Sequence, residues 1–192
     1  MPYDGPVAGA VFGDPTPDAA GERSAELERK VRSAQNISRM CLVCGDENPH
    51  GLHGSFYELD DGELLGVFHS RSEHQSYPGR LHGGISSAVL DETIGRAITI
   101  AHPGTWGVTA ELTVRFRRPV PLGGTIRALA RITRDTSRLF EGSGEIVLDD
   151  GTVAVEARGR YVKMPLDAIT DGEFDKRDWF SDPREAPDSV DL

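Results

Sequence analysis

Asp91 is the residue in this chain that most needs a chemical explanation. It sits in LHGGISSAVLDETIGRAITI (81–100), where Ile85, Val89, Leu90, Ile94, Ala97 and Ile98 recur at helical spacing around much of the circumference. A helix apolar nearly all round is a buried one, and a carboxylate in such surroundings is costly unless it is paired or used. Nine residues earlier, about 13.5 Å along the axis, Leu81-His82-Gly83-Gly84 opens the helix. There the first N–H groups lack intrahelical acceptors and lie at the positive end of the dipole, which suits a developing oxyanion. Together these residues describe an oxyanion site at the head of a helix with a carboxylate farther along it. The same residues also fit a Gly-led helix whose acid simply reaches solvent, and the residues alone leave both readings open. Glu92 adjoins Asp91, but consecutive helical residues point about 100° apart. Asp91 is therefore expected in the pocket and Glu92 outside it.

A second cluster of reactive types lies in CLVCGDENPHGLH (41–53), with Cys41, Cys44, His50 and His53. Five residues separate the two pairs, against roughly 12–15 in a zinc finger, and no βαβ pattern of the redox type follows. Structural thiols are the expectation, ahead of metal or redox chemistry, and no metal ligand is assigned.

The elements that must position Asp91 follow from periodicity. Residues 1–21 are rich in Pro, Gly and Asp and read as loosely held. Residues 21–37, with Leu27, Val31 and Ala34 at helical spacing and Ser24 as a possible cap, read as a short amphipathic helix. Strands are expected at 54–59 and 63–70 around the turn Asp60-Asp61-Gly62. After the long helix, Val108, Ala110, Leu112, Val114 and Phe116 alternate with polar residues in a long strand. Three more follow at 126–133, 139–148 and 152–163. One long helix among about six antiparallel strands predicts an α+β fold, a curved sheet wrapped around a central helix. Such a sheet leaves an edge and apolar surface to cover, so a dimer is expected. The domain limits are 1–36 for an N-terminal extension, 37–164 for the folded body and 165–192 for an acidic tail. The tail holds nine acids against three bases and reads as disordered or clamped through Trp179-Phe180.

With 192 residues, 38% hydrophobic and 27% charged, the chain fits a globular domain. No apolar run approaches the ~18 residues of a membrane span, and no basic start with an apolar stretch marks a secretion signal. Cytoplasmic placement without a membrane partner is expected. The net charge of −10 falls mainly on the tail. No basic footprint is left for nucleic acid.

The order of elements, LHGGISSAVLDE (81–92) and GVTAELTVRFRRPVPLGG (107–124) together resemble the hotdog-fold acyl-CoA thioesterases of the phenylacetate-pathway type. These belong to the 4-hydroxybenzoyl-CoA thioesterase superfamily. The likeness runs from about 41 to 164 and takes in Cys41, Cys44, Gly45, Asn48, Pro49, Gly51 and Leu52, with His50 outside the pattern. It implies a hotdog dimer, or a dimer of dimers, that hydrolyses acyl-CoA to free acid and coenzyme A. No cofactor is implied, because coenzyme A is part of the substrate. Gly83 would polarise the thioester carbonyl, with Gly84 and His82 beside it in the turn. Asp91 of the opposing subunit would be nucleophile or general base, and Thr109 would hold the water or the carboxylate. Six residues before the histidine some relatives carry Asn or Gln as a second carbonyl donor; here Ser76 stands there, with Gln75 adjacent. Arg117 and Arg118, and more weakly Arg115, are candidates for the phosphates of coenzyme A. The Ser76 departure keeps a second class open, a hotdog protein that binds acyl-CoA or another apolar ligand without turnover. A hydratase would need an Asp-His pair that does not stand out, and a thiol- or metal-responsive module would rest on Cys41 and Cys44.

Overall fold

A computed structural model describes residues 28–170 and 176–190. The chain enters through β1 (Arg29–Ala34) and the two-residue β2 (Ile37–Ser38), then the Cys41–Cys44 turn. A hairpin of β3 (Ser55–Leu59) and β4 (Leu64–His69) follows, its turn closed by Gly62 at φ 85°. The long helix α1 (Gly83–Ala101) comes next, and then four strands: β5 (Trp106–Phe116), β6 (Thr125–Asp135), β7 (Leu139–Val147) and β8 (Val153–Met164). A short α2 (Leu166–Ile169) leads to β9 (Trp179–Phe180) and β10 (Ser189–Val190). The main sheet has eight strands in the order β10-β1-β3-β4-β6-β7-β8-β5, all antiparallel neighbours, and β2 with β9 forms a separate pair. The α+β, helix-on-sheet architecture is as expected, with eight strands in place of about six.

The helix lies across the sheet because each offers the other an apolar face at the right period. Val89, Leu90, Ile94, Ala97 and Ile98 of α1 are buried against Phe56, Leu64, Phe68, Ala128, Ala130, Phe140, Ile146, Val155 and Ala157. Gly142 allows the closest approach, since a Cβ there would lie 2.6 Å from Ile94 Cγ2. Burial does not extend all round, however: Asp91, Glu92, Gly95 and Thr99 remain partly exposed on one side. Strand residues of opposite parity (Tyr57, Leu59, Leu65, Leu129) form a smaller cluster on the other face of the sheet, joined by Val31, Ala186 and Val190.

One expectation for the ends needs correction. The described part of the 21–37 segment is not helical but strand, with Val31 opposite Leu59 and Ala34 opposite Tyr57; residues 21–27, with Ser24 and Leu27, lie outside the described residues. Isolated helices this short are marginal. Pairing also covers what would be the open edge of β3. Of the two readings of the acidic tail, the clamped one is seen at residues 178–190. Phe180 pairs with Ile37, and Asp182 accepts a hydrogen bond from Ser55 Oγ at 2.7 Å. Arg184 donates to the His53 and Gly54 carbonyls, and Val190 pairs with Arg29. Truncation after residue 170 should therefore lower the melting temperature by at least about 4 °C, the shift of roughly 1–2 kcal/mol at this size. An unchanged transition in calorimetry would show that these contacts contribute nothing.

Candidate active site

Asp91 lies midway along α1, on its partly exposed side, and two neutral hydroxyls converge on it. Thr109 Oγ1 on β5 donates to Asp91 Oδ1 at 2.9 Å. The Tyr161 hydroxyl on β8 lies 3.1 Å from both Oδ1 and the Asp91 carbonyl. Oδ2 has no partner drawn to it among the described residues. The Tyr161 ring is stacked on Phe140 at 4.9 Å, and Gly159 leaves the space it fills, since a Cβ there would meet the hydroxyl at 2.6 Å. Burial first, and then the Asp91 carboxylate beside it, pushes the Tyr161 phenol well above the usual range, so it stays protonated and acts as donor. Asp91 borders an open cleft of about 470 Å³ walled by β1, α1, the start of β5 and Trp179.

Glu92 borders the same cleft, contrary to expectation, because the cleft spans more than one face of α1. Its partners differ in kind. Glu92 Oε1 accepts from Arg96 Nε at 2.7 Å, and Cys44 Sγ stands 3.8 Å away. Arg96 is buried, with its guanidinium 4.1 Å from the Phe56 ring centroid and 4.6 Å from that of Trp179. It also donates to the Asn36 carbonyl at 2.8 Å and to Cys44 Sγ at 3.0 Å. Trp179 meets Trp106 edge-on at 4.8 Å and so shuts one side of the cleft.

At the other end of α1, His82 is the N-cap. Its Nδ1 accepts the Gly84 N–H at 2.9 Å, and its carbonyl accepts those of Ile85 and Ser86. The Gly83 N–H is left without an acceptor among the described residues, and a Cβ at Gly83 would meet the Phe116 ring at 3.4 Å. His74, which sequence reasoning did not single out, is buried and ties this loop down. Its Nε2 lies 2.9 Å from the His50 carbonyl, and its own carbonyl accepts the His82 N–H.

Residues 78–155 match the family model of the Thioesterase superfamily. A solved thioesterase superfamily protein shares 31% identity at TM-score 0.60, covering 66% of this chain and 61% of that one. The fold is the hotdog of that superfamily. Acyl-coenzyme A thioesterase THEM4 of Bos taurus is 27% identical over 141 residues, 72% of this chain and 57% of the relative. The chain thus spans little more than half the length of that curated relative. The E. coli PaaI protein of the phenylacetic acid degradation operon, at 20% identity and TM-score 0.53 over 59% of this chain and 80% of that one, shares the fold.

Within this hotdog, Asp91 and Thr109 come together, whereas Gly83 of the same chain lies about 12 Å away by helical rise. Gln75 and Ser76 are exposed in the loop before α1. The Gln75 side-chain oxygen is occupied by the Gly79 N–H at 3.1 Å, and the Ser76 backbone pairs with Arg80. Arg117 is exposed and paired with Glu156 at 3.1 Å, and Arg118 is exposed next to it. His50 and His53 do not join the cysteines; the group that gathers is Cys41, Cys44 and Glu92. Tyr161 and Arg96 were missed, although each left a signal. Val155, Ala157, Gly159 and Tyr161 share one parity of β8, and Arg96 is four residues beyond Glu92.

The Tyr161 environment predicts a pH dependence. A phenol raised above its ordinary value of 10.0 keeps its proton in the fold while the unfolded chain loses it. Its contribution is complete below about pH 10 and declines as pH rises beyond that, by up to ~1.4 kcal/mol per pH unit. In denaturant titrations Tyr161→Phe should flatten this alkaline loss. A variant that loses stability above pH 10 as steeply as the wild type would rule the linkage out.

Proposed function

We propose that this protein is a cytoplasmic acyl-CoA thioesterase that works as a homodimer or dimer of dimers, hydrolysing R–CO–S–CoA to the acid and coenzyme A. The observation that carries this reading is Asp91 held at the cleft by two neutral donors on one oxygen, with the other oxygen turned to no partner. In the proposed reaction that oxygen attacks the thioester carbon or takes a proton from water. A helix N-terminal amide stabilises the oxyanion as the carbonyl bond opens. The Gly83 amide that serves this role comes from a second copy, because the helical rise separates the two groups within one chain. Exposed Val108 and Phe116 on edge strand β5, with Val162 beside it on β8, provide apolar surface for that partner. The thioesterase relative and the superfamily match support the acyl-CoA substrate. Among the described residues no helix is long and apolar enough to cross a membrane.

Asp91→Asn should reduce hydrolysis by about two to four orders of magnitude while a non-hydrolysable thioether analogue of acyl-CoA still binds. Glu92→Gln, which strips Arg96 of its counterion, should lose stability rather than turnover per folded molecule. Normal turnover by Asp91→Asn would remove Asp91 from the mechanism. A wild type that binds the analogue but turns over no short, long or aromatic acyl-CoA would replace the reading with a non-catalytic acyl-CoA-binding hotdog. The shared site has its own check by light scattering: the active species should be a dimer or larger, and an active monomer would refute it.

A further inference from the structure

The Cys41–Cys44 turn has no part in the proposed hydrolysis, yet its surroundings are those of a reactive dithiol. Cys41 is partly exposed and Cys44 is buried. The turn is closed by the Gly45 N–H on the Cys41 carbonyl at 2.9 Å. Cys41 Sγ faces the N–H groups of Val43 at 3.3 Å and Cys44 at 3.5 Å. The two sulfurs and a Glu92 oxygen all lie within 4.8 Å of one another, and Arg96 Nη2 stands 3.0 Å from Cys44 Sγ. Backbone donors at Cys41 favour its thiolate, whereas the hydrogen bond to Cys41, burial and the Glu92 carboxylate keep Cys44 a protonated thiol in spite of Arg96. The Cys44 thiol, donating a hydrogen bond to Cys41, is the largest cause holding Cys41 down to about 7. A divalent cation could compete for Cys41, Cys44 and Glu92, but the Arg96 guanidinium already supplies positive charge there, in contact with both Cys44 and Glu92.

We propose that Cys41 and Cys44 are a redox-active pair, closed to a disulfide by a hydroperoxide and reopened by a thiol reductant, with Arg96 carrying the change to the cleft wall. The Cys41 thiolate attacks the peroxide and breaks its O–O bond. It becomes a sulfenic acid, and the departing oxygen takes up a proton to leave as alcohol or water. Cys44 then displaces the sulfenic oxygen, which leaves as water with the Cys44 thiol proton. Two thiols and one hydroperoxide give one disulfide, one alcohol or water and one further water; the sulfurs lose two electrons and the peroxide gains them. Closure brings the sulfurs to ~2.05 Å, a rotation within one turn of backbone. A transient disulfide of this kind is compatible with a reducing compartment. In closing, Cys44 turns toward Cys41 and away from Arg96, whose remaining partners are Glu92, the Asn36 carbonyl, Phe56 and Trp179. Trp106 and Trp179 are the two tryptophans of the chain and both line the cleft, so their emission reports its wall directly.

The test treats the reduced full chain with hydrogen peroxide and reads mass, maleimide-reactive thiols and tryptophan emission. The expected result is loss of two hydrogen atoms, disappearance of both thiols and a shifted emission, all reversed by dithiothreitol. Cys44→Ser should instead trap a dimedone-reactive sulfenic acid on Cys41, with no reversible emission shift. Thiols that stay free in excess peroxide would overturn the proposal. So would wild-type Cys41 passing to sulfinic acid without a disulfide, or a stoichiometric metal held by the cysteines in the purified protein. A disulfide that forms with unchanged emission would overturn the role given to Arg96. None of these readouts depends on thioester turnover.

Discussion

A buried guanidinium has to find partners for its charge and its donors, and Arg96 finds them in five different parts of the chain, one of them the Phe56 ring on β3. It takes Glu92 from its own helix, the Asn36 carbonyl from the corner between β1 and β2, Cys44 from the turn that follows, and Trp179 from the C-terminal segment. Removing one partner of a buried charge is far more damaging than the pair is stabilising. Arg96 therefore acts less as a source of stability than as a requirement that these parts be present together. The N-terminal strands and the C-terminal clamp are wrapped around the helix at the level where this charge is buried. That same level is the wall of the cleft.

The sheet answers to a different constraint. The eleven-residue strand β5 sits at one end of the order, with no further strand beside it among the described residues, while the opposite end is extended by β1 and β10. One edge is thus covered from within the chain. The other is left long, with Val108 and Phe116 exposed nearby. Covering one edge and leaving the other suits an assembly made through β5, and it places the open edge beside Thr109 and Asp91.

Much of this was legible in the sequence because it rests on local periodicity. The strict alternation of β5 and the helical spacing from Ile85 to Ile98 are properties of short windows. The same reading located Asp91 and the Gly83-Gly84 start of α1. What it misread depends on partners far along the chain. Val31 and Ala34 lie three apart, a helical spacing, and only the open edge of β3, some 25 residues on, makes them strand, with a bulge between Val31 and Ser33. Of the C-terminal clamp only the Trp179-Phe180 point was legible; Ala186 and Val190 were hidden, since a polar, acidic segment with scattered apolar residues has no period to read. Arg96 was not singled out because nothing local marks it as buried.

The neighbouring carboxylates on α1 show how partners, rather than position, divide the work. Asp91 and Glu92 border one cleft, so the turn of the helix alone does not separate them. Glu92 is bound by a cation, and its charge is neutralised by Arg96 at 2.7 Å. Asp91 is bound by the hydroxyls of Thr109 and Tyr161, which orient one oxygen without cancelling its charge. A carboxylate locked to a guanidinium is poorly placed to accept a proton or attack a carbonyl, because either step would first have to break a charge-assisted bond. One held by neutral donors is fixed in direction and still free to react. The two acids are adjacent in sequence, and the chemistry of what meets each one makes Glu92 a structural group and leaves Asp91 for the cleft.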